Sequence, residues 1–347
     1  MNNDRLLKAL RLEPLDRPPL WLMRQAGRYL PEYQKTRAQA GSFLNLCKTP
    51  ELACEVTLQP INRFGFDAAI LFSDILTIPD AMGLGLFFTE GEGPQFQSPI
   101  RNLEAVQKLP IPDPHQELRY VIEAVSLIKK ELQNKIPLIG FAGSPWTLAS
   151  YMIEGKSTRE FILSKSFLYN EPEAIQILLD KLSESITLYL LAQIKAGADV
   201  VMLFDSWGGI LSEHDYLKFS LASIKKIVSA LRKHAPQTPI ILFTKGGGIW
   251  LPHIQALGVD AIGLDWTIDI ASARQKLGKN ICLQGNFDPT LLFTHPEIIK
   301  EIASKIIQNN QQNTGHIFNL GHGILPKTPI AHVEALVSAI HESKIEK

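Results

Sequence analysis

The chain alternates between short, continuously apolar runs and longer segments in which apolar residues recur every three or four positions. The short runs contain almost no polar positions, which is typical of strands buried on both faces of a parallel sheet. The longer segments have helical spacing, and residues 170–196 are predicted to form one long helix. Strands are predicted to begin near Pro19, Ala68, Ile136, Asp199, Pro239, Asp260, Asn280 and His316.

The boundaries between these segments carry consistent signals. A glycine that fits the end of a helix precedes several strands, as in Gly197-Ala198-Asp199 and Gly258-Val259-Asp260. Capping residues followed by proline or an acidic residue indicate helix starts. These starts are Thr49-Pro50-Glu51, Ser212 with Asp215, Thr294-His295-Pro296-Glu297 and Thr328-Pro329.

Strands and helices that alternate eight times predict an α/β fold, a single-domain (β/α)8 TIM barrel. The remaining length is assigned to an N-terminal helical extension and to an insertion after strand 2, within residues 75–135. The insertion is expected to contain a hairpin around Glu90-Gly91-Glu92-Gly93-Pro94. No linker is visible, so residues 1–347 are predicted to form one domain. An open, doubly wound sheet is the alternative.

The composition is typical of a soluble globular protein, with 45% hydrophobic residues, 20% charged residues and a formal net charge of zero. Without a basic excess, nucleic acid and anionic membranes are not expected as partners. The first residues lack the apolar core of a secretory signal. Because the three cysteines, Cys47, Cys54 and Cys282, form no CxxC pair, we expect free thiols and a cytoplasmic location.

Polar residues follow the predicted strands. Barrel enzymes carry their chemistry at the carboxyl ends of the strands. Seven of the eight predicted strands are followed by an ionisable residue. The segments are Arg24 with Arg28; Ser73-Asp74; Gly143-Ser144-Pro145-Trp146; Asp205-Ser206-Trp207; Thr244-Lys245; Asp265-Trp266; Asn286-Phe287-Asp288; and Gly321-His322-Gly323. This concentration predicts a binding or catalytic site at that end of the barrel.

Arg24 and Arg28 follow the first predicted strand, with Gly27 between them to allow a sharp turn. Each guanidinium is permanently charged and fits a carboxylate or phosphate. Two of them at one strand end suggest a pocket for a polyanion. An ordinary loop with two surface arginines is the alternative.

The acidic residues also have structural alternatives. Asp74 could cap the next helix. Asp205 and Asp265 could be buried ion-pair partners of Lys245 or Arg24.

Other candidates are weaker when considered alone. Taken alone, Tyr151 and Ser206 fit packing and capping better than ligand binding. The glycine run 246–248 is not followed by the residues that complete a phosphate-binding loop. His322 stands between two glycines that cannot bury it, which favours a site. No histidine and cysteine spacing suits zinc, so no metal site is predicted.

Two long motifs identify a family. Residues 21–28, WLMRQAGR, and residues 140–151, GFAGSPWTLASY, resemble the two signatures of the uroporphyrinogen decarboxylase family. The shorter segments 71–76, 204–209 and 319–324 also resemble segments of that family. The resemblance extends from about Asn3 to the C-terminus.

The resemblance implies a (β/α)8 barrel that acts as a homodimer, without metal or organic cofactor. It implies removal of the four acetate carboxyl groups of uroporphyrinogen III, giving coproporphyrinogen III and four CO2. Asp74, Arg24, Arg28 and Tyr151 are the implied catalytic residues, and Asp74 is expected to face the pyrrole N–H groups. The implied substrate-binding residues are Arg24, Gln25, Ala26, Gly27, Arg28, Asp74, Tyr151, Phe204, Ser206 and His322.

This assignment agrees with the chemistry. A protonated pyrrole can accept the electrons of the C–CO2 bond, which accounts for the lack of a cofactor motif. An ionised Asp74 could stabilise the positive charge that develops. The proton donor stays open among Arg24, Arg28, Tyr151 and water. The alternatives are a zinc-dependent methyltransferase of the same barrel superfamily and a porphyrinogen-binding protein without turnover.

Overall fold

A parallel sheet organises the fold. The computed structural model describes residues 3–89, 93–156, 158–310 and 314–344. The strands are β1 Ala69–Ile70, β2 Leu86–Thr89, β3 Gly93–Phe96, β4 Leu138–Gly143, β5 Val200–Asp205, β6 Ile240–Thr244, β7 Ala261–Gly263, β8 Cys282–Gln284 and β9 His316–Ile317. Seven of them form one curled parallel sheet in the order β1-β4-β5-β6-β7-β8-β9. This arrangement confirms the predicted α/β class, and these seven strands begin within about two residues of their predicted starts.

Helices connect consecutive strands of the sheet. The α-helices are α1 Arg5–Leu10, α2 Pro31–Gln39, α3 Phe43–Lys48, α4 Pro50–Phe64, α5 Thr77–Pro79, α6 Leu103–Lys108, α7 Arg119–Leu132, α8 Pro145–Glu154, α9 Ile162–Asn170, α10 Pro172–Ala196, α11 Glu213–Asp215, α12 Ala222–His234, α13 Leu251–Gln255, α14 Ile270–Leu277, α15 Pro296–Gln308 and α16 Ile330–Glu342. Short π-helical turns span Asp80–Leu84 and Tyr216–Leu221, and 3-10 turns span Gly208–Ile210, Gly247–Ile249 and Pro289–Phe293. The four predicted helix starts are confirmed by α4, α11, α15 and α16.

The first predicted strand, near Pro19, is reduced to an isolated bridge. Leu20 forms a parallel bridge with Phe318, next to β9. On its other side the carbonyl of Leu20 accepts the amide of Asp67, next to β1, at 2.8 Å. The amide of Leu20 donates to the Asp67 carboxylate at 2.7 Å, so a side chain takes the place of a backbone partner. Leu20 thus lies between the two edge strands of the sheet.

Two elements lie outside the sheet. Helix α1 precedes Leu20. Between β1 and β4, strands β2 and β3 form an antiparallel hairpin. The turn residues Glu90, Gly91 and Glu92, around which the hairpin was predicted, lie outside the described residues.

The strands and the inner faces of the helices form the core. β4 is buried along its whole length, as continuous apolar strands of a parallel sheet should be. The helix predicted for residues 170–196 is α10, which begins at Pro172 and ends before Gly197 in the left-handed conformation. In the described part of the chain, no helix combines the length and apolar character needed to cross a bilayer.

Candidate active site

The turn after Leu20 is held by the Gln25 side chain, which is fully buried. Its carbonyl oxygen accepts the amide of Leu22 at 3.1 Å, and its amide nitrogen donates to the carbonyl of Ala68 at 3.1 Å. The Tyr29 hydroxyl donates to the backbone carbonyl of Gln25 at 2.9 Å. Because these polar groups are occupied within the protein, the Gln25 side chain fixes the turn that carries its neighbours, and its contact with substrate stays a prediction.

Arg24 has a left-handed backbone with φ of 61°, which is uncommon for a residue with a side chain. Its side chain crosses Gly323, where a Cβ atom would stand 2.4 Å from the Arg24 Cδ. A Cβ on Gly27 would stand 2.9 Å from the Arg24 carbonyl oxygen. Both glycines are therefore required for the observed position of Arg24.

The segment between the two arginines has free donors. Within the described residues, no acceptor is bonded to the backbone amides of Ala26, Gly27 and Arg28. No described carboxylate lies within 4 Å of the guanidinium of Arg24 or Arg28, and both side chains are exposed. Two free guanidinium groups and three free amides on one turn can bind carboxylate oxygens.

Asp74 follows β1 and is half-buried. One carboxylate oxygen accepts the amide of Leu76 at 2.8 Å, a local turn bond; the next helix, α5, has Leu76 at its N-cap and no side-chain cap, so Asp74 does not cap it. The other oxygen has no hydrogen-bond partner among the described residues. Burial raises the pKa of Asp74, while the Leu76 bond and the charge of Arg24 act in the opposite direction. Asp74 is therefore a desolvated carboxyl group whose ionised form is stabilised by the charge of Arg24.

Tyr151 lies on α8, whose first turn is capped by the Ser144 side chain. Burial raises the pKa of Tyr151; the charge of Asp74 raises it further, whereas Arg24 lowers it. Its ring lies 6.1 Å from that of Trp207. The charges of Arg24 and Asp74 thus both act on Tyr151, so these three residues form one group in the structure.

His322, in the segment after β9, belongs to the same group. Burial lowers the pKa of His322 to about 4, and the charges of Arg24 and Lys245 lower it too, against an opposing effect of Asp265. Its ring lies 6.2 Å from that of Phe243. His322 is therefore a neutral hydrogen-bonding group at neutral pH.

Phe204 and Ser206, at the end of β5, are half-buried. The Phe204 ring meets those of Phe141 and Phe243 edge-on, at 5.5 and 6.2 Å. Because Phe243 also contacts His322, Phe204 joins the same region. Arg28 is farther along the turn, where its charge acts on Tyr33.

Asp205 has a different role from the ion pair considered from the sequence. Its carboxylate is fully buried and accepts hydrogen bonds from four hydroxyl groups. The donors are Ser144 at 2.6 Å, Thr147 at 3.2 Å, Ser220 at 2.8 Å and Thr244 at 3.5 Å. Asp205 therefore ties the end of β5 to β6, to the start of α8 and to the turn before α12.

We expect Asp205→Ala to lower the urea midpoint substantially. The free energy of unfolding should fall by about 2–4 kcal/mol, because three or four buried hydroxyl groups lose their acceptor. Asp205→Asn, which keeps the shape and one acceptor oxygen, should lose less. Denaturation monitored by circular dichroism measures both, and an Ala variant as stable as wild type would contradict this role.

Asp265 does not form the ion pair that was the structural alternative either. Its oxygens accept the amide of Gly246 at 2.5 Å and the amide of Thr267 at 2.9 Å. Within the described residues, neither Arg24 nor Lys245 lies within 4 Å of a carboxylate. Asp205 thus binds side-chain hydroxyl groups and Asp265 binds backbone amides, and the two cations are left without an ion-pair partner in the described part of the chain.

Sequence reasoning missed Arg37, on α2. It is half-buried, and no carboxylate of the described chain lies within 4 Å of it. Burial raises the pKa of Tyr33 to about 12, while Arg37 and Arg28 act in the opposite direction. Arg37 therefore shares the surroundings of Arg28, but it lies outside the motif of residues 21–28 and does not follow a strand. The described residues contain no group of three His, Cys, Asp or Glu side chains arranged to hold a metal.

Comparisons with known proteins agree with the sequence motifs. The family model described as "Uroporphyrinogen decarboxylase (URO-D)" matches residues 1–343. The uroporphyrinogen decarboxylase of Pseudomonas savastanoi pv. phaseolicola is 56% identical, covering 99% of this chain and 97% of its own. That of Proteus mirabilis is 57% identical, covering 98% and 96%.

Solved structures show a similar fold. A methyltransferase from Methanosarcina mazei matches with a TM-score of 0.81 at 23% identity, covering 98% of each chain. A B12-independent methionine synthase from Shewanella sp. W3-18-1 matches with a TM-score of 0.54 at 10% identity, covering 94% of this chain and 95% of its own. At these identities the likeness concerns the fold alone.

Proposed function

The chain belongs to the uroporphyrinogen decarboxylase family, and we propose that it removes the carboxyl groups of the four acetate side chains of uroporphyrinogen III. The products are coproporphyrinogen III and four CO2, in porphyrin and haem biosynthesis. One observation carries this proposal. The carboxyl end of the sheet has both cations without an ion-pair partner among the described residues and one desolvated carboxyl group, Asp74.

The substrate requires these cations. Uroporphyrinogen carries eight carboxylates, so its binding needs positive groups that are not already neutralised by the protein. Arg24, Arg28 and the free amides of residues 26–28 meet that need on one turn. The bonds made by Gln25 hold the turn in place before substrate binds, which reduces the entropy lost on binding.

Asp74 acts on the reacting ring. Protonation of a pyrrole carbon gives a cation, and the electrons of the C–CO2 bond then move into that ring as CO2 leaves. A second proton converts the exposed methylene carbon to methyl, and the ring releases the first. The free oxygen of Asp74 would accept the pyrrole N–H groups and stabilise the cation. His322, neutral at neutral pH, and the Tyr151 hydroxyl offer further hydrogen bonds to substrate, and Phe204 and Ser206 complete the pocket.

We extend the proposal to the architecture. Leu20 would complete an eight-stranded (β/α)8 barrel between β9 and β1, and residues 1–347 would form one domain. A homodimer is supported by exposed apolar side chains beyond the ends of β6, β7 and β9, namely Ile249, Trp266 and Leu325. A cytoplasmic location remains our prediction. Sedimentation velocity would test the dimer.

An anaerobic assay tests the activity. Chelator-treated protein is incubated with uroporphyrinogen III, and the products are oxidised and separated by chromatography. Porphyrins with seven, six, five and four carboxylates are expected. Unchanged substrate that binds to folded protein would instead favour a carrier, and activity restored only by zinc would favour metal-dependent chemistry.

We expect Gly323→Ala to raise KM for uroporphyrinogen about tenfold, the effect of weakening one charged hydrogen bond. The added methyl group would displace the Arg24 side chain without removing it. In the double variant with Arg24→Ala, the effect of Gly323→Ala should vanish. Additive effects of the two substitutions on kcat/KM would show that Gly323 acts independently of Arg24.

A further inference from the structure

Lys245 follows β6 at the carboxyl end of the sheet and is half-buried. Its amide donates to the carbonyl of Asp205 at 3.2 Å. The next amide, that of Gly246, is held by the Asp265 carboxylate. The backbone that carries the Lys245 side chain is thus fixed on both sides.

The Lys245 ammonium lies among residues of the candidate site. It is 5.7 Å from the centre of the Trp207 ring. Trp207 in turn packs against Tyr151 at 6.1 Å and Phe161 at 4.7 Å. The charge of Lys245 also lowers the pKa of His322. Lys245 therefore borders the space next to Tyr151 and His322.

Apart from the Trp207 ring, this cation has no partner. Within the described residues, its ammonium has neither a carboxylate within 4 Å nor a hydrogen-bond acceptor. Two other half-buried cations are paired, Lys129 with Asp199 at 2.7 Å and Arg232 with Asp260 at 2.6 Å. Arg37, whose charge acts on Tyr33 as that of Arg28 does, has no carboxylate partner among the described residues either. Partial burial of a charge without a partner costs free energy, which an anionic ligand can offset.

The position of Lys245 in the sheet favours contact with the side of the substrate that is far from Arg24. β6 is the middle strand of β1-β4-β5-β6-β7-β8-β9, whereas Arg24 comes from the segment between the two edge strands. A macrocycle with carboxylates around its whole rim needs cations on more than one side. Resting on the proposed function, we infer that Lys245 binds a side-chain carboxylate of uroporphyrinogen on the side away from Arg24.

Substitution of Lys245 tests the inference. Lys245→Gln should raise KM about tenfold, the loss of one charged hydrogen bond, with a smaller change in kcat. Lys245→Arg keeps the charge and should stay within about threefold of wild type. Higher ionic strength should raise the KM of wild type by a larger factor than the KM of Lys245→Gln. Lys218→Gln is the matched control, because that exposed ammonium lies 4.9 Å from the Phe219 ring outside the site.

Two results would overturn the inference: a KM for Lys245→Gln equal to that of wild type, or an Arg variant as impaired as the Gln variant. Circular dichroism confirms that each variant is folded. If wild type gives no decarboxylated product, the proposed function fails separately. Anaerobic equilibrium dialysis with unconverted uroporphyrinogen then measures Kd for the same variants, and an unchanged Kd in Lys245→Gln would still overturn the role of Lys245.

Discussion

Asp74→Asn is expected to lower kcat by two to three orders of magnitude, about 3–4 kcal/mol of lost transition-state stabilisation. Asparagine keeps an oxygen for the Leu76 amide, so the turn after β1 should be preserved. The negative charge that would stabilise the protonated ring is lost. Single-turnover decarboxylation of uroporphyrinogen III measures the effect, and near-normal turnover would exclude the charge-stabilising role.

The same variant should not be less stable than wild type at neutral pH. The folded-state pKa of Asp74 is raised by burial. Its charge therefore destabilises the fold progressively as pH rises through the ordinary carboxyl range towards the raised pKa. Removing the charge removes that penalty. Asp80→Asn is a contrasting control outside the site: its carboxylate likewise accepts the amide of Leu86 at 2.9 Å, but its other oxygen pairs with Lys48 at 2.6 Å, so removing its charge should not stabilise the fold.

Activity should show a related pH dependence. Because the proposed role of Asp74 needs its ionised form and its pKa is raised, turnover should begin to fall at a higher pH than for an ordinary carboxyl group. This loss of turnover at acidic pH should be absent from the residual activity of Asp74→Asn. If the variant loses activity over the same pH range as wild type, the titrating group is not Asp74.

The sequence was a good guide to the seven strands because each is a continuous apolar run, and a strand buried on both faces needs nothing else to be recognised. It was a poorer guide near Pro19. There the amide of Leu20 is bound by the Asp67 carboxylate and that of Met23 by the Asn319 side chain at 3.0 Å. Hydrogen bonds between a backbone and a distant side chain leave no periodic signal, so the segment looked like an ordinary strand.

The candidate site was predictable where it coincides with strand ends. Arg24, Asp74 and His322 were recognised by position, and in the structure the charge of Arg24 acts on both Asp74 and His322. The partners of the buried carboxylates were not predictable. Asp205 is bound by hydroxyl groups, which are too common in any sequence to be singled out. Arg37 was missed because it lies within a helix and not at a strand end, although that helix begins only three residues after Arg28.

Arg24→Ala should lower kcat/KM about 100-fold, since a two-pronged guanidinium–carboxylate pair contributes roughly twice the 1.5 kcal/mol of a single charged hydrogen bond. Most of the loss should appear in KM, because the side-chain carboxylates that we propose Arg24 binds are present before and during the reaction. Arg24→Lys, which keeps the charge but loses the planar fork, should be intermediate. Initial rates across substrate concentration give both constants.

Arg24→Gly separates binding from backbone strain. The φ of 61° is unfavourable for arginine and alanine but natural for glycine. If Arg24 acts through its charge, the Gly variant should be as defective in KM as the Ala variant while melting no lower than wild type. A Gly variant with a normal KM would mean that backbone conformation, and not the guanidinium, is what this position contributes. If the Gly variant is instead as defective in KM as the Ala variant, the strained backbone is retained because it directs the Arg24 side chain across Gly323, where a carboxylate of the substrate can reach it.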